Sequence, residues 1–134
     1  MRRFVVDTNV LVSGILSEHG PPGWIVDLVA AGELRAVYDS RILAEYREVL
    51  VRPELSLNAT RVESVLAVIR DLGVLVTPLP WPKPLPDLDD EPFLACAGAA
   101  AVPLVTGNLR HFPEACRIDV LVLSPREFLD FLRL

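Results

Sequence analysis

Short apolar runs alternate with stretches of helical periodicity along most of the chain, and no other feature restricts its fold as strongly. Arg3 to Val6 has the composition of a buried strand, and Pro22 to Ala31 follows as a helix with Trp24, Ile25, Leu28 and Val29 on one face and Gly32 as its stop. Leu34 to Tyr38 is a second strand. Ser40 to Val51 is a second helix, ended by Arg52-Pro53. Asn58 caps a third helix in which Val62, Val65, Leu66 and Ile69 recur at helical spacing, and Gly73 closes it before a strand over Val74 to Thr77. A helix over Glu91 to Ala101 leads to strands at Val102 to Thr106 and Val120 to Leu123. Ser124-Pro125-Arg126-Glu127 has the form of a capping box that opens a terminal helix. Strands alternating with helices in this way predict an α/β three-layer sandwich with a mainly parallel central sheet. Residues 1–134 make a single domain, and 51% hydrophobic residues are enough for one core.

The first strand ends on a carboxylate. Asp7 stands between Phe4-Val5-Val6 and Val10-Leu11-Val12, where an acid is costly to desolvate and persists because a metal, a partner charge or a reaction needs it. Ligands of parallel α/β sheets sit beyond the carboxyl ends of the strands, where strand order reverses. Asn108, two residues past the strand ending at Thr106, shares that edge, and Asp87, Asp89 and Asp90 precede the helix that leads into the same strand. Glu45 lies within or at the margin of the apolar face that Ile42, Tyr46, Val49 and Leu50 give the second helix. An inward glutamate must be neutralised, by a buried arginine or by a shared cation. Taken singly, Asp7, Asp89 and Asp90 could each be a helix cap. As a set of acids from three segments, with no lysine or histidine among them, they suit Mg2+ or Mn2+. Such ions acidify and aim water and stabilise charge on a phosphoryl oxygen, which is phosphodiester hydrolysis chemistry.

Other chemistries lack their residues. There is no GxGxxG after a strand and no GxxxxGK[ST]. Asn9 stands where a phosphoaspartate hydrolase carries its second Asp, and the one lysine, Lys83, lies among prolines rather than at a strand end. Ser13-Gly14 is not a nucleophile elbow; His19 and His111 have no evident Ser or Cys partner, though His111 follows Asn108 closely enough to reach a phosphate. Cys96 and Cys116 lack both disulfide and metal-site spacing, and Cys96 fits a buried reduced thiol. The net charge of −5 and pI near 5.0 repel a phosphate backbone, so a nucleic-acid partner requires a local arginine patch or bound cations. Asp7 interrupts the one signal-like start. Gly98 and Pro103 make the uncharged stretch Pro92 to Leu109 a buried helix and strand rather than a membrane span, and a cytoplasmic protein is expected. Prolines alternating from Pro78 to Pro86 form a stiff extended connector that delivers Asp87-Leu88-Asp89-Asp90 to a fixed place; a ligand for a proline-recognising domain is the other reading.

Four segments, in order, resemble the successive motifs of PIN-domain proteins, and most of all their VapC-like branch, the toxins of toxin–antitoxin systems. They are Phe4-Val5-Val6-Asp7-Thr8-Asn9-Val10, Glu45 within Ile42 to Leu50, Asp87 through Ala97, and Val105-Thr106-Gly107-Asn108-Leu109-Arg110-His111-Phe112. The resemblance implies a PIN-like, Rossmann-like fold and a divalent-metal-dependent endoribonuclease acting on RNA. Its quartet would be Asp7, Glu45, Asp90 and the position of Asn108, with Asp87 auxiliary. Asp7, Glu45 and Asp90 would be catalytic, and Asp7, Asp90, Asn108 and Asp87 would hold Mg2+ or Mn2+. Thr8, Asn9 and Thr106 would orient Asp7 and the metal's waters. Asn108 departs from the pattern, since many relatives carry Asp there. The likeness also implies a cognate antitoxin and a homodimer, and Trp24, Ile25 and the face from Val62 to Ile69 are expected to offer such a partner apolar surface. A catalytically weak PIN-fold module that binds RNA or an antitoxin peptide is the alternative.

Overall fold

A computed structural model describes residues 2–133. All five expected strands fall in one parallel sheet: β1 (Arg2–Val6), β2 (Leu34–Tyr38), β3 (Val74–Leu75), β4 (Leu104–Val105) and β5 (Val122–Leu123), in the order β3-β2-β1-β4-β5. The helices are α1 (Thr8–Leu16), α2 (Pro21–Ala30), α3 (Ser40–Leu50), α4 (Ala59–Leu72), α5 (Glu91–Ala100), the single turn α6 (Glu114–Arg117) and α7 (Pro125–Leu132). They flank the sheet as a three-layer α/β sandwich. From β1 the chain builds outward through β2 and β3, then returns to the far side of β1 for β4 and β5. Strand order therefore reverses between β1 and β4.

Burial on both faces explains why the central strands show no alternation of apolar and polar residues. Phe4, Val5, Val6, Leu104 and Val105 are completely buried. Side-chain caps fix the helix starts: Asp39 accepts the Ile42 N–H at 2.9 Å, Asn58 accepts that of Arg61 at 2.9 Å, and Ser124 and Glu127 form the expected box. Strands β3, β4 and β5 are shorter than expected, though flanking residues such as Val76 and Thr106 still donate to their neighbours.

Two expectations are corrected. Helix α1 was not legible, because Thr8, Asn9, Val10, Val12 and Gly14 are weak helix formers; burial of Val10, Leu11, Gly14 and Ile15 overrides propensity. The apolar surplus at α2 and α4 does not exist. Ile25, Val62, Val65, Leu66 and Ile69 are buried where α4 packs on α2, α3 and β2, and only Trp24 is half exposed, with Arg126 stacked over its ring. These faces supply no argument for a partner.

The proline segment has no regular structure and is held by specific contacts, as a stiff connector should be. The Trp81 backbone N–H donates to Glu91 at 3.1 Å, the Trp81 indole donates to the Cys116 carbonyl at 2.7 Å, and Leu85 is buried. Trp81 lies against α5 at Gly98, where an added Cβ would come within 2.7 Å of the indole ring. Beyond the strap, Asp87 accepts the Asp89 N–H at 2.9 Å and starts a 3-10 turn, Leu88–Asp90, that runs into α5.

Gly98→Ala tests this seating. Alanine favours the helix by about 1 kcal/mol, while overpacking against a rigid ring costs about 1–3 kcal/mol. A net loss of about 1 kcal/mol in denaturant unfolding is expected, with faster proteolysis between residues 78 and 86. A gain in stability would show that the strap yields freely.

Candidate active site

The carboxyl ends of β1 and β4 meet at the reversal of strand order, and Asp7 sits there. Its backbone N–H donates to the Val105 carbonyl at 2.8 Å, continuing the ladder by one residue. Its Oδ2 accepts a 2.8 Å hydrogen bond from the hydroxyl of Thr106, which is fully buried, and a 3.3 Å one from the Asn9 amide. Asn9 in turn accepts the Gly107 N–H at 3.0 Å, and Thr106 Oγ1 accepts the Asn108 N–H at 3.0 Å. Asp7 occupies the N-cap position of α1 without a side-chain capping bond. Its carboxylate is shared between the sheet edge, through Thr106, and the first turn of α1, through Asn9.

Glu45 comes to the same place from α3. The Thr8 hydroxyl donates to its Oε2, and no arginine pairs with it among the described residues. Just behind it on α3, the fully buried Tyr46 donates its phenol to the Val6 carbonyl and ties the helix to the end of β1. Asp90 arrives with the 3-10 turn and is buried. His111 Nδ1 lies 3.1 Å from Asp90 Oδ2 as an ion-pair contact without a directed hydrogen bond, and that buried oxygen has no other partner. Asp87 is exposed and caps its turn, while Asp89 is exposed and acts on Glu45 through its charge. Asn108 is half-buried, and its side chain makes no hydrogen bond among the described residues. An open groove of about 430 Å3, lined by Arg41, Glu45, Glu48, Leu88, Asp89 and Glu91, runs between α3 and the start of α5.

Electrostatics bind Asp7, Glu45 and Asp90 into one unit. Burial raises the pKa of Asp7, offset in part by the Thr106 hydrogen bond. Burial likewise raises Glu45, with the charges of Asp7 and Asp89 adding to it and the Thr8 hydrogen bond opposing. Asp90 is pushed up to about 6 by burial and by the charges of Asp7, Asp87 and Glu45, against the pull of His111. Asp39 is bonded differently. It is equally buried, but it caps α3 and holds Arg41 at 2.7 Å. Cys96 is a buried free thiol with its pKa pushed up to about 12 by desolvation, as expected of a packing residue.

The donor set suits a hard divalent cation. Three coupled carboxylates have no arginine or lysine paired with them among the described residues, only the imidazole of His111 beside Asp90, and a buried Asp90 oxygen lacks a directed donor. Among the described residues no three His, Cys, Asp or Glu side chains converge closely enough to enclose an ion by themselves. Mg2+ commonly takes one or two carboxylates and completes its shell with water, so the set fits that kind of site better than a closed cage. Sequence reasoning took His111 as a surface or packing residue able to reach a phosphate, not as a neighbour of Asp90. Its signal was its place three residues after Asn108, on the same edge.

A parallel sheet with acids gathered at its reversal point defines the class, and comparison with known proteins names it. The PIN-domain family profile matches residues 3–110, and the chain belongs to that family, whose members are generally nucleases. An uncharacterized protein of Methanocaldococcus jannaschii is 26% identical over 139 residues, covering 96% of this chain and 90% of its own. Among the described residues no helix is long and apolar enough to cross a membrane.

The raised acids predict how metal-free stability depends on pH. Asp90 goes from an ordinary carboxylate pKa of 3.8 when unfolded to about 6 when folded, so between these values the folded state binds more protons. Its unfavourable contribution is absent below the unfolded value, grows as pH rises and is complete above the folded one. Asp7 and Glu45 act in the same direction. The apo protein should thus lose on the order of 1–3 kcal/mol from this cluster between about pH 4 and pH 7. Mn2+ should restore it at pH 7.5, as read by thermal melting. A melting temperature that climbs steadily over that range without metal would contradict the coupled-acid picture.

Proposed function

We propose that this protein is a divalent-metal-dependent endoribonuclease, the toxin half of a toxin–antitoxin pair acting in the cytoplasm. The observation that carries the catalytic part is the electrostatically coupled trio Asp7, Glu45 and Asp90 at the reversal of strand order, with no arginine or lysine paired to it among the described residues. The toxin assignment, the antitoxin partner and a homodimer are supported by the likeness of the four motifs to VapC-like toxins.

In this reading Asp7 and Asp90 hold Mg2+ or Mn2+, with Asn108 and Asp87 as further oxygen donors at the rim. The bound cation would acidify a water and neutralise charge building on the phosphoryl oxygen. Thr106 and Asn9 fix the rotation of Asp7 by holding one of its oxygens, and the other would be its donor to the ion. Thr8 fixes Glu45 in the same way, and Glu45 then stands as the acceptor for a proton from the attacking water. The phosphate backbone meets a chain of net charge −5, so cation binding has to precede or accompany RNA binding.

Purified protein should cleave RNA with Mg2+ or Mn2+ and stop in EDTA, and Asp7→Asn should abolish cleavage while the variant stays folded. Cleavage undiminished in EDTA would reject the metal mechanism. RNA binding without cleavage, with the metal present, would favour the non-hydrolytic module.

Asn108→Asp adds a charged oxygen to the rim. Because the amide makes no hydrogen bond among the described residues, the change should leave the melting temperature with metal intact and tighten Mn2+ binding by about tenfold in calorimetry. Unchanged affinity would remove position 108 from the site.

A further inference from the structure

His111 completes the 3-10 turn Leu109–His111 that follows Asn108, and its position is not incidental. The turn is anchored to the strand end: the His111 N–H donates to the Asn108 carbonyl at 3.1 Å, and the Asn108 N–H is held by Thr106. The ring therefore stands on the same framework that fixes Asp7. From there its Nδ1 comes within 3.1 Å of Asp90 Oδ2, an oxygen that is buried and otherwise without a partner. The rest of the imidazole is open, with the side chain 45% exposed. Among the groups acting most strongly on Asp7 and Asp90, it is the one that can carry positive charge.

We infer that His111 is a positioning residue for Asp90. Its Nδ1–H holds Oδ2 so that Asp90 presents a single, fixed oxygen to the cation. A carboxylate held by one oxygen cannot swing or chelate, and outer partners of this kind are worth about 10–100-fold in metal affinity. The contact is imperfectly aligned without metal, and a slight turn of the half-exposed ring directs the N–H at Oδ2. Asp90 would then be held by a side-chain donor, as Thr106 and Asn9 hold Asp7 and Thr8 holds Glu45. This assignment rests on the metal-site reading above and adds a residue to it.

Conservative variants separate the two ring nitrogens. Asparagine places an N–H near the position of imidazole Nδ1, and glutamine places one near Nε2. Mn2+ titration calorimetry on the full chain should show His111→Gln and His111→Ala binding about 10–100-fold more weakly than the unaltered protein, with His111→Asn within about 3-fold of it. RNA cleavage should lose kcat in the same order with KM unchanged. Independently of metal and RNA, long-range 1H–15N spectra of the apo protein above pH 8 should show the Nδ1-protonated tautomer at His111, and Asp90→Ala should remove it. Equal Mn2+ affinity in all variants, or a raised KM that glutamine rescues and asparagine does not, would make His111 a phosphate contact and overturn the assignment. Failure of any position-111 variant to fold in a melting curve would make it structural and do the same. If the unaltered protein takes up no Mn2+, the metal-site reading itself falls, and this assignment with it.

Discussion

The hydrogen bond from Thr106 to Asp7 joins the ends of the two strands between which the sheet reverses its order, and the geometry of the acidic edge hangs from it. Both groups are withdrawn from water, with exposures of 0% and 5%. Either one left unpaired there would cost about 1–3 kcal/mol, so the pairing is enforced by burial as much as by its own strength. The same hydroxyl accepts the Asn108 N–H, which fixes where the chain leaves β4. Asn9 closes a second link across the gap, from the start of α1 to Gly107. Two neutral side chains thereby turn a pair of strand ends into a rigid frame, and Asp7 and the turn carrying His111 are both mounted on it.

Burying acids without counter-charges opposes stability, and the protein treats its buried aspartates in two different ways. Asp39 has a helix start to cap and a guanidinium beside it, so its charge is balanced within the fold. Asp90 has neither, and its pKa near 6 records the cost. Nothing in the packing of α5 demands an acid at its N-cap, since Asp90 makes no side-chain capping bond and Pro92 already suits the first turn. A carboxylate that serves no structural bond and weakens the metal-free fold is explained by what it binds. Glu45 obeys the same logic, because the buried arginine that could have neutralised it is absent among the described residues and Arg41 is committed to Asp39 and Glu91.

The architecture was legible because local and global signals agreed. All five strands and the capped starts of α4 and α7 follow from apolar runs bounded by Asn, Ser, Gly and Pro, and parallel order follows from the intervening helices. The acidic edge was legible through topology for Asp7 and the Asp87–Asp90 run, through the apolar face of the second helix for Glu45, and through the family resemblance for Asp90 in particular. Helix α1 was hidden because its residues are chosen for close packing on α2 rather than for helix propensity; a Cβ at Gly14 would meet Pro22 and Val26 at 2.5 Å. Trp24 and the α4 face were misjudged for the opposite reason: periodicity shows that a face is apolar but not which neighbour covers it. The contact between His111 and Asp90 joins residues from the two ends of α5 and β4, and no local pattern encodes it.

Asn108 fits the electrostatics better than its departure from the family pattern suggests. With a pKa near 6, Asp90 is about 90% ionised at pH 7, which is what an oxygen donor to a cation must be. A further carboxylate at 108 would add one more like charge to the cluster and, without metal, push Asp90 upward again. A proton held there competes with the metal for the same oxygen, so the tighter Mn2+ binding expected of Asn108→Asp requires the added donor charge to outweigh that competition. A neutral amide offers a donor oxygen without that penalty. Asp7 is screened from the same pressure by Thr106 and Glu45 by Thr8, but the corresponding donor to Asp90 is a half-exposed imidazole, the weakest hold of the three. The acid with the least support is therefore the one whose surroundings most need to stay free of further negative charge, and position 108 lies on the turn that supports it.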